Sequence, residues 1–220
     1  MDMKELVFGS QKLGLELSDQ QVRAFELYLV ELLDWNKRIN LTSVTQPDDV
    51  IRVHFLDSLT VLLGLTTEDR QGTLNILDVG TGGGFPGIPL AIACPHFQVD
   101  LLEATGKKVA FLTQIILSLK LNNVSVINGR AEEIAHVGTH REAYDLVVSR
   151  AVARLATSME LAVPFVVGGG RFVSQKKGDF RRELDSSQTA MKLMGATLEE
   201  VRWIEMEEIG EPRALVVYRK

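Results

Sequence analysis

Between Leu77 and Ile92 the chain reads LDVGTGGGFPGIPLAI, with glycines at 80, 82, 83, 84 and 87 where an apolar run of strand character gives way to one of helical character. Glycine at such a junction lets the main chain come close to a ligand, and the helix that follows begins with unpaired N–H groups. Gly82, Gly84 and Gly87 satisfy G-x-G-x-x-G, and Asp100 and Glu103 follow near the spacing at which a dinucleotide site keeps an acid for ribose hydroxyls. The turn is therefore a candidate cofactor site. A purely structural turn would carry the backbone entropy of these glycines for no reason.

Three further groups could do chemistry. Arg150 follows YDLVVS, which reads as a buried strand, so its guanidinium needs either a protein carboxylate or the carboxylate or phosphate of a ligand; a ligand is the expected partner. His54, Asp57 and Ser58 stand three and four residues apart, on one face of a helix. That set fits a nucleophilic or metal arrangement, or simply the satisfaction of a surface helix. From Arg171 to Arg182, RFVSQKKGDFRR carries Lys176, Lys177, Arg181 and Arg182 against Asp179 alone among acids, either as a solvated helix start or as a surface for RNA phosphates. No cysteine nucleophile or zinc ligand set accompanies them, and no metal is expected: Cys94 is the single cysteine, which excludes a C-x-x-C site and an internal disulfide and favours a reducing, cytoplasmic setting.

The elements that must position these groups change character near residue 73. Leu27, Val30, Leu32, Leu33, Trp35 and Ile39 recur at helical spacing behind a cap at Ser18 and Asp19, and Val50, Val53, Phe55, Leu59 and Leu62 repeat the pattern after Pro47. Residues 1–72 thus read as an N-terminal helical region. From 73 to 220 short β-rich runs alternate with helical ones, TLNILDV, QVDLLE, VSVIN, YDLVVS and GRFVSQ being the strands, which builds a parallel sheet with crossover helices. DFRRELDSSQTAMKLMG reads as a single helix. TLEEVRWIEM and RALVVYR then follow as two strands joined by a loop too short for anything but an antiparallel pair. The start of the chain has no signal-peptide pattern, no apolar run reaches membrane-spanning length, and a net charge of −5 conceals the basic segment.

A mostly parallel sheet that ends in a reversed strand resembles the seven-stranded Rossmann-like fold of class I S-adenosylmethionine-dependent methyltransferases. DVGTG at 78–82 is similar to their first motif, and Glu103 stands where that superfamily holds the ribose. Five ordered stretches, WNKRINLTSV, HFLDSL, DVGTGGGFPGIPLAI, LLEATGKKVAFL and SRAVA, narrow the resemblance to the ribosomal small-subunit methyltransferase G family, formerly glucose-inhibited division protein B. The resemblance implies transfer of a methyl group from S-adenosylmethionine to guanine N7 of 16S ribosomal RNA, at the nucleotide customarily numbered 527. It also implies donor contacts at Gly80, Phe85, Ala131, Glu132 and Arg150. Glu132 has a simpler reading too, as an acid in the first turn of a short helix.

Guanine N7 carries a free lone pair, so positioning is the main demand on such a site, and Asp57 is a candidate to offset the charge that develops on the purine. The family often reads F-V-A-L-K-G where this chain has FVSQKKG, so Lys176 and Lys177 are both candidates for the family lysine and for RNA contact. The partner expected is 16S ribosomal RNA or the small subunit, bound by a monomer away from membranes. A small-molecule methyltransferase and a nicotinamide oxidoreductase stay open as alternatives.

Overall fold

The computed structural model describes residues 3–150 and 153–220; residues 1 and 2, and residues 151 and 152 within SRAVA, lie outside the described residues. The N-terminal third is helical: α1 (Lys4–Lys12), α2 (Asp19–Asn36), α3 (Pro47–Val50), a π-helical turn (Ile51–Leu56), α4 (Asp57–Leu59), a 3-10 turn (Thr60–Gly64) and α5 (Thr67–Gln71). Strands and helices then alternate as β1 (Asn75–Val79), α6 (Gly87–Ala93), β2 (Gln98–Glu103), α7 (Gly106–Leu119), β3 (Val124–Asn128), α8 (Ala131–Ile134), β4 (Tyr144–Arg150), α9 (Leu155–Ala162) and β5 (Val166–Lys177). The chain closes with α10 (Arg181–Ser186), α11 (Gln188–Leu193), β6 (Thr197–Ile204) and β7 (Arg213–Arg219).

The described strands form one seven-stranded sheet in the order β3-β2-β1-β4-β5-β7-β6. β1 to β5 pair in parallel, and β7 inserts antiparallel between β5 and β6. Chain order reverses between β1, which continues to β2, and β4 on its other side; the carboxyl ends of these two strands open the crevice where open α/β sheets bind ligands. Gly80 follows the first of them and Arg150 ends the second.

Alternation along the strands builds a core on each face of the sheet. Ile76, Leu146, Val148, Val173, Leu215 and Val217 pack with Phe25, Tyr28, Leu32, Phe55 and Phe111, beneath the N-terminal helices, α6 and α7. Their neighbours Leu77, Val147, Phe172, Ala214 and Val216 pack with Leu155, Met159, Phe165 and Phe180 on the other face. The N-terminal helices therefore share a core with the sheet.

Helix α2 starts where the sequence places it: the Ser18 side chain accepts from Gln21 N–H and the Gln21 side chain reaches back to the cap. Two segments differ from the sequence reading. The helix expected after Pro47 contains a π-helical turn over Ile51–Leu56 and tightens into a 3-10 turn. DFRRELDSSQTAMKLMG is two helices, since Ser187 turns its hydroxyl onto Leu184 O at 2.8 Å and interrupts the run; Gly195 at φ +68° ends the second.

Candidate active site

The glycine turn is held from beneath by Asp78. Its Oδ2 accepts Thr81 Oγ1–H at 2.7 Å and Gly87 N–H at 2.7 Å, closing the loop between β1 and α6. Burial raises this carboxyl to about 6 against the opposing pull of its hydrogen bonds, and Oδ1 is buried without a partner. Gly80, Gly82 and Gly84 have φ of +70°, +61° and +95°, a region side chains other than glycine rarely enter. A Cβ on Gly84 would lie 2.6 Å from the Tyr28 hydroxyl, and one on Gly87 would lie 2.4 Å from Leu101 Cδ2. Gly80 stands exposed in the crevice while Gly83 and Gly84 are buried, so the main chain itself forms the floor.

Glu103, at the end of β2, accepts Gly82 N–H through Oε2 at 3.1 Å and Thr105 N–H through Oε1 at 2.8 Å. Each carboxylate oxygen has a further lone pair for a ribose hydroxyl. Asp100, the other acid near that spacing, is committed within the sheet to Ser125 Oγ and to Tyr144 Oη. Ala131 and Glu132 open α8 after β3, where Gly129 N–H bonds Glu103 O. The Glu132 side chain is exposed and takes Arg130 Nε–H at 2.6 Å, as an acid in a first helical turn does. A cradle a Cβ would strain, an acid at the second strand end and a short helix after the third fit an adenosyl donor. Gly80, Glu103 and the 131–132 backbone would hold it.

The second half of the site surrounds Arg150. Its Nη1 donates to Asp57 Oδ2 at 3.2 Å and to Val53 O at 3.0 Å, and its Nη2 faces His54 Nδ1 at 3.2 Å. The expectation of a ligand as its partner is thus corrected: the charge is met by a protein carboxylate, because the π-helical turn aims Val53 O, His54 and Asp57 at the end of β4. The ring is enclosed on both nitrogens: Nδ1 lies 3.2 Å from Arg150 Nη2, which only donates, and 2.9 Å from Val53 O, which only accepts, while Nε2 lies 2.6 Å from Thr42 Oγ1. Burial and then the Arg150 charge push the His54 pKa down to about 3. His54 is neutral at physiological pH. Ser58 donates to His54 O at 2.5 Å and takes no other part in the set.

Asp57 also receives Arg213 Nε–H on Oδ1 at 3.1 Å, and its peptide oxygen receives Gln175 Nε2–H at 2.8 Å. Both carboxylate oxygens are thereby committed to arginines, so the acid expected to offset charge on a purine instead fixes Arg150 and Arg213. Sequence reasoning missed Arg213 and Gln175, since nothing in RALVVYR or FVSQKKG marks them apart from strand residues. Phe85 is 4% exposed. Its ring stacks on His54 at 4.6 Å and on Tyr28 at 5.5 Å and lies beneath the Arg150 guanidinium at 4.9 Å. It locks the glycine turn to the arginine.

The basic segment is divided by the fold. Arg171 lies toward the other end of β5, paired with Asp69 and Glu199. Lys176 turns inward, donating to Glu183 Oε2 and Ala153 O at 2.8 Å each, with its side chain 12% exposed. Its expected place among phosphate contacts is corrected by that pairing. Lys177, Arg181 and Arg182 are exposed at the carboxyl edge of the sheet. Of the three, Lys177 lines a cavity of about 430 Å³ together with His54, Asp57, Arg150, Gln175, Glu183 and Arg213 among others. A neighbouring cavity of about 560 Å³ shares Ser43, Val44, Val53, Lys177 and Arg213 with it and extends to Arg52, so the two form one groove.

This fold is shared by solved structures at low identity. A SAM-dependent methyltransferase from Aquifex aeolicus superposes with a TM-score of 0.57 at 14% identity, covering 78% of this chain and 92% of its own. M. jannaschii TYW2 in complex with AdoMet gives 0.53 at 20%, covering 69% and 73%. Sequence similarity is more specific. The family model for rRNA small subunit methyltransferase G matches residues 21–209. Ribosomal RNA small subunit methyltransferase G of Dehalococcoides mccartyi (strain CBDB1) is 45% identical over 218 residues, covering 99% of this chain and 91% of its own. The protein of that name from Lachnoclostridium phytofermentans is 39% identical over 219 residues, covering 100% and 89%. With its glycine turn between β1 and α6 and its reversed last strand, the chain belongs to the rRNA small subunit methyltransferase G family and is an S-adenosylmethionine-dependent rRNA methyltransferase.

Proposed function

We propose that the chain methylates N7 of a guanine in 16S ribosomal RNA, at the position implied by its family resemblance. The observation that carries this reading is the junction of two sites at Arg150: a donor cradle on one side, and on the other a base-sized cavity opening to exposed cations. When bound, S-adenosylmethionine supplies an electrophilic methyl group. Gly80, Glu103 and the 131–132 backbone hold the donor, while Phe85 and the Arg150 cluster fix the boundary between donor and base.

The protonation states favour a nucleophile that needs no deprotonation. His54 is neutral and enclosed by Arg150, Val53 O and Thr42 Oγ1, and Asp57 is held by two arginines, so neither is free to serve as a base. Guanine N7 meets that condition, and orientation alone can contribute roughly 7–11 kcal/mol. Lys177, Arg181 and Arg182 bind phosphates without reading sequence, and the groove toward Arg52 guides the flanking strand. Residues 1–72 complete the base side of a Rossmann-like domain spanning 73–220. The chain acts as a cytoplasmic monomer, and sedimentation at assay concentration checks that state.

The test is methyl transfer from labelled donor to small ribosomal subunits, naked 16S RNA and a metabolite panel, followed by nucleoside separation. Label in 7-methylguanosine at a single RNA position is the expected result. Label in a metabolite alone, or on another atom of the base, would refute the reading.

A further inference from the structure

We propose that Glu183 reads the target base, its carboxylate accepting N1–H and the N2 amino group of a guanine seated in the cavity beside Arg150. The inference rests on the function proposed above and goes on to name the group that selects guanine. The cavity of about 430 Å³ has two acidic side chains in its lining, Asp57 and Glu183. Asp57 is spent on Arg150 and Arg213. Glu183 meets Lys176 Nζ and Leu155 N–H with the same oxygen, Oε2, which leaves Oε1 as the acceptor toward a ligand. Its side chain is 33% exposed, unlike that of Asp57 at 5%.

The walls are placed for this. His54 and Arg150 contact Phe85 and so form the wall next to the glycine turn, whereas Glu183 lies on α10 and ties it to the start of α9 and to β5. The N7 edge and the N1/N2 edge of guanine face opposite ways across the bicyclic ring. A guanine with N7 toward the donor cradle therefore presents its two donors away from it, toward α10. Gln175 points to the same polarity. Its Nε2 is fixed by Asp57 O and Thr60 Oγ1, and its Oε1 is buried without a partner, a further acceptor among the lining residues. Guanine presents N1–H and the N2 amino group together on that edge; adenine has an acceptor at N1 and no amino group at C2.

The carboxylate serves the transfer as well. As N7 takes the methyl group its lone pair becomes the new C–N bond, the C–S electron pair stays with sulfur, and the purine gains a positive charge with no proton released. That charge strengthens the N1–H and N2–H donors, so an ionised acceptor is bound more tightly in the transition state than in the ground state. Burial draws the Glu183 carboxyl upward, but Lys176 and the Leu155 N–H outweigh it and hold the group below the usual carboxylate range, ionised at neutral pH.

The experiment compares unmethylated small ribosomal subunits carrying guanosine or inosine at the target position; inosine keeps N7 and N1–H and lacks the N2 amino group. The wild-type chain is expected to prefer guanosine by roughly 10- to 100-fold in kcat/KM, as for a lost hydrogen bond to a charged group. Glu183→Gln, which retains an oxygen for Leu155 N–H, is expected to lower kcat on guanosine and bring the ratio close to 1. A ratio is independent of how much protein is folded, so a purely structural role for Glu183 would leave it unchanged. An unaltered preference in Glu183→Gln, with the wild type active, would overturn the assignment of Glu183 alone. Absence of wild-type transfer to guanosine-bearing subunits would overturn the proposed function and this inference with it.

Discussion

On the donor side the contacts that shape the cleft span short stretches of chain: Thr81 and Gly87 bond Asp78 across three and nine residues. On the base side Arg150 and Arg213 reach the Asp57 carboxylate across 93 and 156 residues. The first half is fixed by backbone conformation that glycine permits and other residues resist. The second is fixed by charges withdrawn from water, each of which depends on its partner. Damage to the donor half should therefore abolish binding while the fold survives, and damage to the base half should weaken the fold itself.

The largest effect is expected at Asp57. Asp57→Ala leaves two buried guanidinium groups facing each other, and removing one partner of such a pair costs about 3–5 kcal/mol. Urea denaturation should show that loss while donor affinity per folded molecule is unchanged. A small loss would mean that the base half is not held by its charges.

Gly80→Val is expected to do the reverse. At φ +70° a β-branched residue is strained by about 1–3 kcal/mol and obstructs the approach of a ligand to the main chain, so donor affinity should fall about 100-fold or more. Calorimetry with S-adenosylmethionine and a thermal melt on the same sample separate binding from folding. Unchanged affinity would remove Gly80 from the donor site.

Charge reversal sharpens the comparison at the rim. Changing Lys177, Arg181 and Arg182 to glutamate should flatten the dependence of log affinity for RNA on log salt by about 2–3, since each neutralised phosphate contributes roughly 0.7–0.9. Lys176→Glu should leave that slope nearly unaltered, because the ammonium already faces Glu183. If Lys176 flattens the slope as much as Lys177, its inward pairing opens on binding. If neither does, the RNA surface lies on the N-terminal helices around Lys37, Arg38 and Arg52.

In the pH dependence of stability the two halves carry opposite signs, so their effects largely cancel in the wild type. His54 has a folded pKa of about 3 against an ordinary 6.5, so the unfolded chain binds the extra proton between those values and His54 lowers stability as pH falls through them. Asp78 has a folded pKa of about 6 against 3.8, so the folded chain binds the extra proton and Asp78 lowers stability as pH rises from 3.8 to 6. Between pH 4 and 6 the two contributions oppose each other. Relative to wild type, Asp78→Asn should steepen the loss of stability in acid and His54→Gln should reduce it, as read from denaturation midpoints across that range.

Much of the donor half was legible before any coordinates. DVGTGGGFPG marks a main-chain turn because glycines clustered at a strand-to-helix junction have few other uses, and Glu103 was singled out by its spacing from them and by the family resemblance. RALVVYR after a short loop required an antiparallel neighbour, as β7 has. Asp78 was missed: its side chain bonds within the turn that was recognised, and only the burial of Oδ1 and the bond to Gly87 N–H reveal its part. HFLDSL was recognised as a polar set, but its partner was not, since periodicity places His54 and Asp57 on one face without saying what that face meets.

The sequence by itself determined the alternation of strands and helices, the reversed final strand, the glycine turn and the family, because each depends on local periodicity, backbone freedom or an ordered set of short motifs. Only the tertiary structure decided that Arg150 and Arg213 share one carboxylate, that Lys176 turns inward to Glu183 while Lys177 stays in water, and that Arg171 belongs to another part of the surface. An ion pair forms wherever packing brings opposite charges together out of water, and that meeting leaves no periodic trace in either of the stretches that supply it.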